Sequence, residues 1–154
     1  MTSGLVRILG LDLGEKRIGV ALSDALGLTA QGLTVVQRRQ PDQDLAAVIA
    51  LAKEHQVQEI VIGLPRHLDG LLGEGAAAVH QWVEQLQTHL GIPVHTLDER
   101  LTTLQAERVL LEADVSRRKR RKVIDKLAAA LILQAFLDRR RAALAAAADE
   151  GETD

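Results

Sequence analysis

The chain has 154 residues, of which 47% are hydrophobic and 26% are charged, and its formal net charge is −2. These values fit one soluble domain with an aliphatic core, while the lack of cysteine excludes thiolate chemistry and the near absence of aromatic residues excludes a base-stacking platform. Neither a secretory signal pattern nor an apolar run of about 20 residues occurs in the sequence, so we expect a cytoplasmic protein.

The first part of the chain predicts a β-hairpin, a third strand, a helix and a buried strand. The hairpin is indicated by two short apolar runs that flank a glycine-containing turn. The buried strand is indicated by a β-branched apolar run that is too short for a helix. The expected positions are 6–13, 18–23 and about 28–36 for the first three strands, 44–55 for the helix and 60–64 for the fourth strand.

The second part predicts a glycine-containing loop over 66–75, a helix that ends at Gly91, a strand over 92–97 and a helix that begins with the capping pair Thr102 and Gln105. A last helix is expected from about 122 to 137, with a possible continuation to 148. Strands that alternate with helices are typical of an α/β fold. We therefore predict one domain over 1–148. It contains a mixed five-stranded sheet that is flanked by helices, and the first three strands of the sheet are antiparallel. An acidic, disordered tail is expected over 149–154.

Positive charge is concentrated in one segment. From Asp114 to Lys126 there are seven basic residues against two acidic ones, a local balance of +5, which leaves −7 for the rest of the chain. A solvated loop or helix start would carry such charge, but six consecutive basic residues beside an apolar helix favour a phosphate-contacting edge. We call these six residues the basic run: Arg117, Arg118, Lys119, Arg120, Arg121 and Lys122.

Carboxylates occur where three of the predicted elements begin or end. Asp12 interrupts an apolar strand, and Asp98 and Glu99 close a later one, where at most one of the two faces the same side as Asp12. Asp125 is expected near the start of the last helix. Capping, ion pairing or the helix dipole explains each carboxylate singly. Together they are the hard oxygen ligands that Mg²⁺ or Mn²⁺ prefers, and such ions assist phosphodiester hydrolysis.

Two basic residues, Lys16 and Arg17, lie in the turn directly after Asp12 and form either a second phosphate contact or a plain polar turn. The five histidines show no zinc-like spacing. From these residues two functions stay open. One is a metal-dependent nuclease, and the other is a nucleic-acid-binding assembly factor without catalysis.

Four sequence blocks follow one another between about residues 8 and 138. They are GLDLGEKRIGVALSD at 10–24, GLP at 63–65 with Asp69, Gly70 and Gly73, DERLTT at 98–103 with Ala106 and Glu107, and Lys122 with Asp125, Ala128, Ala129 and LILQ at 131–134. In this order they resemble the YqgF/RuvX family, the Holliday-junction-resolvase-like proteins associated with processing of precursor ribosomal RNA. The first block is also similar to the phosphate-binding segment of actin-like ATPases and sugar kinases, but those enzymes use two such domains.

The resemblance implies an RNase H-like fold and a nuclease that uses Mg²⁺ or Mn²⁺. It implies catalytic roles for Asp12, Glu99 and Asp125, with Asp98 as a further candidate metal ligand, and we favour Glu99 over Asp98. Lys16, Arg17, Arg100 and the basic run are the candidate contacts to nucleic acid. The expected partners are precursor 16S ribosomal RNA, branched DNA and pre-ribosomal particles, with no membrane, and the chain is expected to act as a monomer or a homodimer.

Overall fold

A computed structural model describes residues 6–64, 74–99 and 117–152 of the chain. The strands are β1 (Ile8–Leu13), β2 (Arg17–Ser23), β3 (Ala30–Gln37), β4 (Glu59–Leu64) and β5 (Val94–Asp98). The helices are α1 (Pro41–Glu54), α2 (Glu74–Leu90) and α3 (Arg117–Glu152). None of the helices in these ranges combines the length and the apolar character that crossing a membrane requires.

The strands form one sheet in the order β3-β2-β1-β4-β5. The first three strands are antiparallel, whereas β4 pairs in parallel with β1 and β5 pairs in parallel with β4. A tight turn joins β1 to β2, and its backbone closes where the Gly14 amide donates to the Arg17 carbonyl oxygen at 3.0 Å. The predicted mixed, five-stranded sheet is confirmed. Consequently, the ends of β1, β4 and β5 and the start of β2 lie at one edge, which we call the carboxyl edge.

Both faces of the sheet are covered, which explains why its central strands are apolar almost throughout. Helices α1 and α2 cover one face, over a cluster whose fully buried members include Leu9, Leu11, Ile18, Val20, Ile60 and Ile62. Helix α3 covers the other face, where it buries Ile8, Ala21, Val61 and Leu97 under its own Ala129, Ile132, Leu133 and Leu137. The core is aliphatic, as expected, since neither Trp82 nor Phe136 is fully buried.

Glycines in the sheet bring α3 unusually close to it. A Cβ atom added to Gly10 would lie 2.8 Å from the Cβ of Leu133, and one added to Gly19 would overlap the carbonyl oxygen of Asp125. Real Cβ contacts are essentially never this short. The helix backbone therefore rests on strands β1 and β2 at positions where no side chain intervenes, and this contact fixes the height of Asp125 above the sheet.

Helix α3 is longer than predicted at both ends. The predicted start near residue 122 is wrong, because the helix begins at Arg117 and includes the basic run. The prediction of a disordered tail from residue 149 is also wrong as far as Glu152, where the helix ends. Arginine, lysine and alanine are strong helix formers, so neither the basic run nor the alanine-rich stretch interrupts the helix. The predicted helix at Thr102 lies outside the described residues.

An ion-paired cluster lies at the opposite edge of the sheet from Asp12. The Glu59 carboxylate accepts two hydrogen bonds from the Arg140 guanidinium, each at 2.7 Å, and it lies 3.0 Å from Nε2 of His95. The Arg140 guanidinium also stacks 4.6 Å from the centre of the Phe136 ring. The hydrogen bonds from Arg140, together with that from His95, hold the pKa of Glu59 below its usual range although burial acts to raise it.

The lowered pKa of Glu59 predicts a stability that depends on pH. Above the ordinary glutamate pKa of about 4.3 the cluster contributes its full stability, and the contribution is lost as the pH falls through the lower pKa of the folded protein. Urea unfolding at pH values from 7 to about 3 measures this loss. In the Glu59→Gln variant the acid-dependent part of the free energy of unfolding should shrink. Identical pH profiles for the two proteins would contradict the assignment.

Candidate carboxylate site at the carboxyl edge

Asp12 lies next to the end of β1 and faces helix α3. It pairs with Gly19 of β2, the residue that contacts the backbone of Asp125. Residues directly opposite each other in an antiparallel pair point to the same face of the sheet. Asp12 is buried, with 8% of its surface exposed. The sheet and the helix therefore bring Asp12 and Asp125 to the same side of the carboxyl edge.

Glu99 reaches this side from β5. The register of β1 and β4 pairs Leu11 with Ile62, so the next step along both strands places Asp12 beside Gly63. A Cβ atom on Gly63 would lie 3.1 Å from Oε1 of Glu99. Because neighbouring strands are about 4.8 Å apart, the Glu99 carboxylate lies above the strand adjacent to Asp12. Glycines on both sides of Asp12 thus let the backbone of Asp125 and the carboxylate of Glu99 lie close to the strands that flank it.

Asp98 faces the other layer. It pairs with Leu64, which packs against the cluster under α1 and α2, and it follows Leu97, which is buried under α3. Successive strand residues point to opposite faces. Of the two acidic residues at the end of β5, Glu99 is consequently the one that shares a face with Asp12.

Asp125 forms an ion pair with Arg17, in which Nε of the arginine donates to Oδ2 of the aspartate at 2.6 Å. The two side chains are only 22% and 18% exposed. Asp125 is the ninth residue of α3, too far from the first turn for the helix dipole to explain it. Arg17, a candidate phosphate contact, therefore binds Asp125, a candidate metal ligand.

The three carboxylates lie on the α3 face of the sheet at the carboxyl edge, but they are not arranged as a preformed metal site. Within the described ranges, no three acidic, histidine or cysteine side chains are close enough together to hold an ion. The donor set nevertheless suits Mg²⁺ or Mn²⁺, since carboxylate oxygens are their usual ligands. By donor chemistry, the residues fit a divalent cation.

The turn that carries Lys16 and Arg17 is tied to α1 by residues that the sequence did not single out. The Arg38 guanidinium donates to the Gly14 carbonyl oxygen at 2.8 Å, and the Arg38 amide donates to the Lys16 carbonyl oxygen at 2.9 Å. The carboxylate of Asp44, which is 3% exposed, lies 3.4 Å from Nε of Arg38. The sequence does contain a signal for Asp44. It lies four positions before Val48 and therefore on the buried side of α1.

The basic run occupies the first two turns of α3 and ends three residues before Asp125. With a rise of about 1.5 Å per residue, Lys122 and Asp125 are about 5 Å apart along the helix axis. The first turn of the helix contains no acidic residue, so the positive helix dipole and the basic residues add their charge at this end. Arg100 lies outside the described residues.

Comparison with known proteins identifies similar sequences over nearly the whole chain. Residues 6–139 match the family model described as RuvX, Holliday junction resolvase. A protein from Moorella thermoacetica is 58% identical over 134 residues, which cover 87% of this chain and 96% of that protein. A protein from Symbiobacterium thermophilum is 57% identical over 137 residues, covering 89% and 95%. Both are named provisionally as pre-16S rRNA nucleases.

Two solved structures share the fold. RuvC from Thermus thermophilus in complex with a Holliday junction aligns with a TM-score of 0.55 at 14% identity, over 88% of this chain and 96% of that one. A second structure of the same enzyme gives a TM-score of 0.57 at 13% identity, over 89% and 97%. At this level of identity the likeness concerns the fold, and it confirms the expected RNase H-like architecture.

Proposed function

Because this chain belongs to the RuvX family of Holliday junction resolvases, it is a nuclease, and we propose that it hydrolyses precursor 16S ribosomal RNA in the cytoplasm with Mg²⁺ or Mn²⁺. The observation that carries the proposal is the convergence of Asp12, Glu99 and Asp125 on one face at one edge of the sheet. The RNA substrate is supported by relatives that are more than half identical to this chain over almost their full length and are named for it.

The proposed chemistry divides between the carboxylates and the basic residues. Asp12, Glu99 and Asp125 would hold the cation, which when bound supplies Lewis-acid stabilisation of the charge that develops on the reacting phosphate. The same carboxylates repel a nucleic-acid backbone. Lys16 and the basic run would offset this repulsion, since Lys16 follows β1 and the basic run begins the helix that carries Asp125.

The aromatic residues lie away from this edge, which predicts weak preference for particular bases. Phe136 stacks against His95 and Arg140 at the opposite edge, with its ring centre 5.1 Å from that of His95. Trp82 packs against the cluster under α1 and α2. Neither can stack on a base held near Asp12, so recognition would depend on phosphates and on the shape of the substrate.

The basic run yields a prediction about salt. Replacing Arg117, Arg118, Arg120 and Arg121 together with glutamine should weaken RNA binding. It should also lower the slope of log affinity against log salt by up to about 3, since each contact to a single strand contributes about 0.7. Fluorescence anisotropy with a labelled single-stranded RNA in EDTA measures the slope without cleavage.

The control for this measurement removes positive charge from the other end of the same helix. Arg139 and Arg141 lie on α3 far from the carboxyl edge, and their replacement with glutamine should leave the slope unchanged. An unchanged slope in the fourfold variant would mean that the basic run is only a solvated helix surface.

The proposed function is tested with a cleavage panel. Single-stranded RNA, single-stranded DNA and a four-way DNA junction are incubated with the purified protein in Mg²⁺, in Mn²⁺ and in EDTA. We expect metal-dependent cleavage that is fastest on RNA. Faster cleavage of the junction would replace RNA with branched DNA as the substrate. Binding without cleavage of any substrate would favour the non-catalytic assembly factor.

The oligomeric state is measured alongside the panel, by sedimentation equilibrium. A junction resolvase acts on two symmetric strands and therefore needs two sites related by symmetry. Cleavage of RNA requires one site only. A monomer that cleaves RNA and leaves the junction intact is the result that the proposal predicts.

A further inference from the structure

The ion pair between Arg17 and Asp125 joins two groups that the proposed function assigns to different partners. Asp125 is a candidate ligand of the cation, and Arg17 is a candidate ligand of the substrate phosphate. Their contact at 2.6 Å is a charge-assisted hydrogen bond between side chains that are less than one quarter exposed. While this contact persists, Oδ2 of Asp125 is not free to bind a cation and Nε of Arg17 is not free to bind a phosphate.

The backbone on both sides of the ion pair is held in place. Arg17 pairs with Gln37 of β3, and the turn before it is tied to Arg38. The backbone of Asp125 rests on Gly19. Separation of the ion pair therefore requires rotation of two side chains and no movement of the sheet or the helix.

A divalent cation at the carboxylates would favour that separation. The guanidinium and the cation carry like charges, and at one partly buried carboxylate they would repel each other strongly. An arginine released from Asp125 stays at the carboxyl edge, close to Lys16 on the same turn. Its planar guanidinium is well suited to binding a phosphate through two hydrogen bonds.

We propose that Arg17 holds Asp125 in the metal-free protein and exchanges it for a substrate phosphate when a divalent cation binds. This inference rests on the proposed function, since it assumes a cation at Asp12, Glu99 and Asp125. By linkage, Arg17 lowers the affinity for the ion in the absence of nucleic acid, and bound ion raises the affinity for phosphate. Arg17 thereby couples occupation of the metal site to capture of the substrate.

The test is calorimetric titration of Mn²⁺ into the metal-free protein. Without the ion pair to break, Arg17→Gln should bind Mn²⁺ about tenfold more tightly than the wild type. Lys126→Gln is the matched control, because it removes one positive charge from an exposed residue next to Asp125. Its Mn²⁺ affinity should change by about twofold at most. Arg17→Lys keeps the positive charge but lacks the planar guanidinium group. This variant is used for the test if Arg17→Gln does not fold.

A spectroscopic readout follows the arginine itself. In a ¹⁵N-labelled protein, the Nε–H signal that Arg17→Gln removes belongs to Arg17. Addition of Mg²⁺ should shift this signal toward the position of solvent-exposed guanidinium groups. If the signal does not move when Mg²⁺ saturates the site, the proposed exchange is overturned.

The outcomes separate this inference from the proposed function. Suppose that Asp12→Asn abolishes Mn²⁺ binding, whereas Arg17→Gln leaves it unchanged or weakens it. This result would overturn the exchange but would leave the proposed metal-dependent nuclease intact. Binding by Arg17→Gln with none by the wild type would support the exchange in its strongest form. Absence of binding in both proteins would overturn the exchange together with the proposed metal site.

Discussion

Asparagine in place of Asp12 should reduce cleavage of single-stranded RNA by about 10³-fold or more while leaving RNA binding close to that of the wild type. A bound divalent ion contributes several kcal/mol of transition-state stabilisation, and each 1.36 kcal/mol corresponds to a factor of ten in rate. Asp12 is the buried carboxylate around which the other two are placed. The amide has the same shape and no charge, so the fold should be retained.

A matched control is available at the end of β5. Asp98→Asn makes the same chemical change at the same edge, but on the face that α1 and α2 cover. Its cleavage rate should stay within about threefold of the wild type, a change in activation free energy below about 1 kcal/mol. Thermal unfolding of both variants checks that each is folded. Full, metal-dependent cleavage by Asp12→Asn would remove Asp12 from the site, and equal losses in both variants would point to damage to the sheet edge.

Alanine at Gly19 should lower the free energy of unfolding by about 3 kcal/mol or more, the upper end of the range for an overpacked core. The added Cβ would overlap the backbone carbonyl oxygen of Asp125, so no side-chain rotation can relieve the clash. Either α3 or β2 must move. Because this movement also displaces Asp125 from its position on the same face as Asp12 and Glu99, cleavage should fall together with stability.

Urea unfolding measures this effect, with Gly91→Asn as the control. Gly91 has φ of +65° and no atom within 4 Å of an added Cβ, and asparagine adopts this backbone conformation more readily than other residues. The control should change the free energy of unfolding by less than about 1 kcal/mol. Wild-type stability in Gly19→Ala would contradict the close approach of α3 to the sheet.

The fold could be predicted from local patterns, whereas the pairings within the site could not. Alternation along β5 indicated that Asp98 and Glu99 face opposite sides, and the resemblance favoured Glu99, but the face on which each one lies depends on the register of β5 on β4. Arg17 and Asp125 are separated by 108 residues, and their contact depends on the path of α3 over Gly19. In the sequence, Gly19 is an ordinary glycine in a strand. Helix α3 begins before the predicted residue 122 because arginine and lysine favour helices, so the basic run continues the helix.

The position of α3 in the chain also bears on the order in which the proposed site is assembled. The helix follows strands β1 to β5 in sequence, and it both covers Ile8 and Val61 and brings Asp125 to the sheet. During synthesis on the ribosome, the strands emerge first, with one apolar face uncovered and the carboxylate set incomplete. Docking of α3 buries that face and completes the set in a single step. Under the proposed function, the three carboxylates would therefore come together only after α3 has docked.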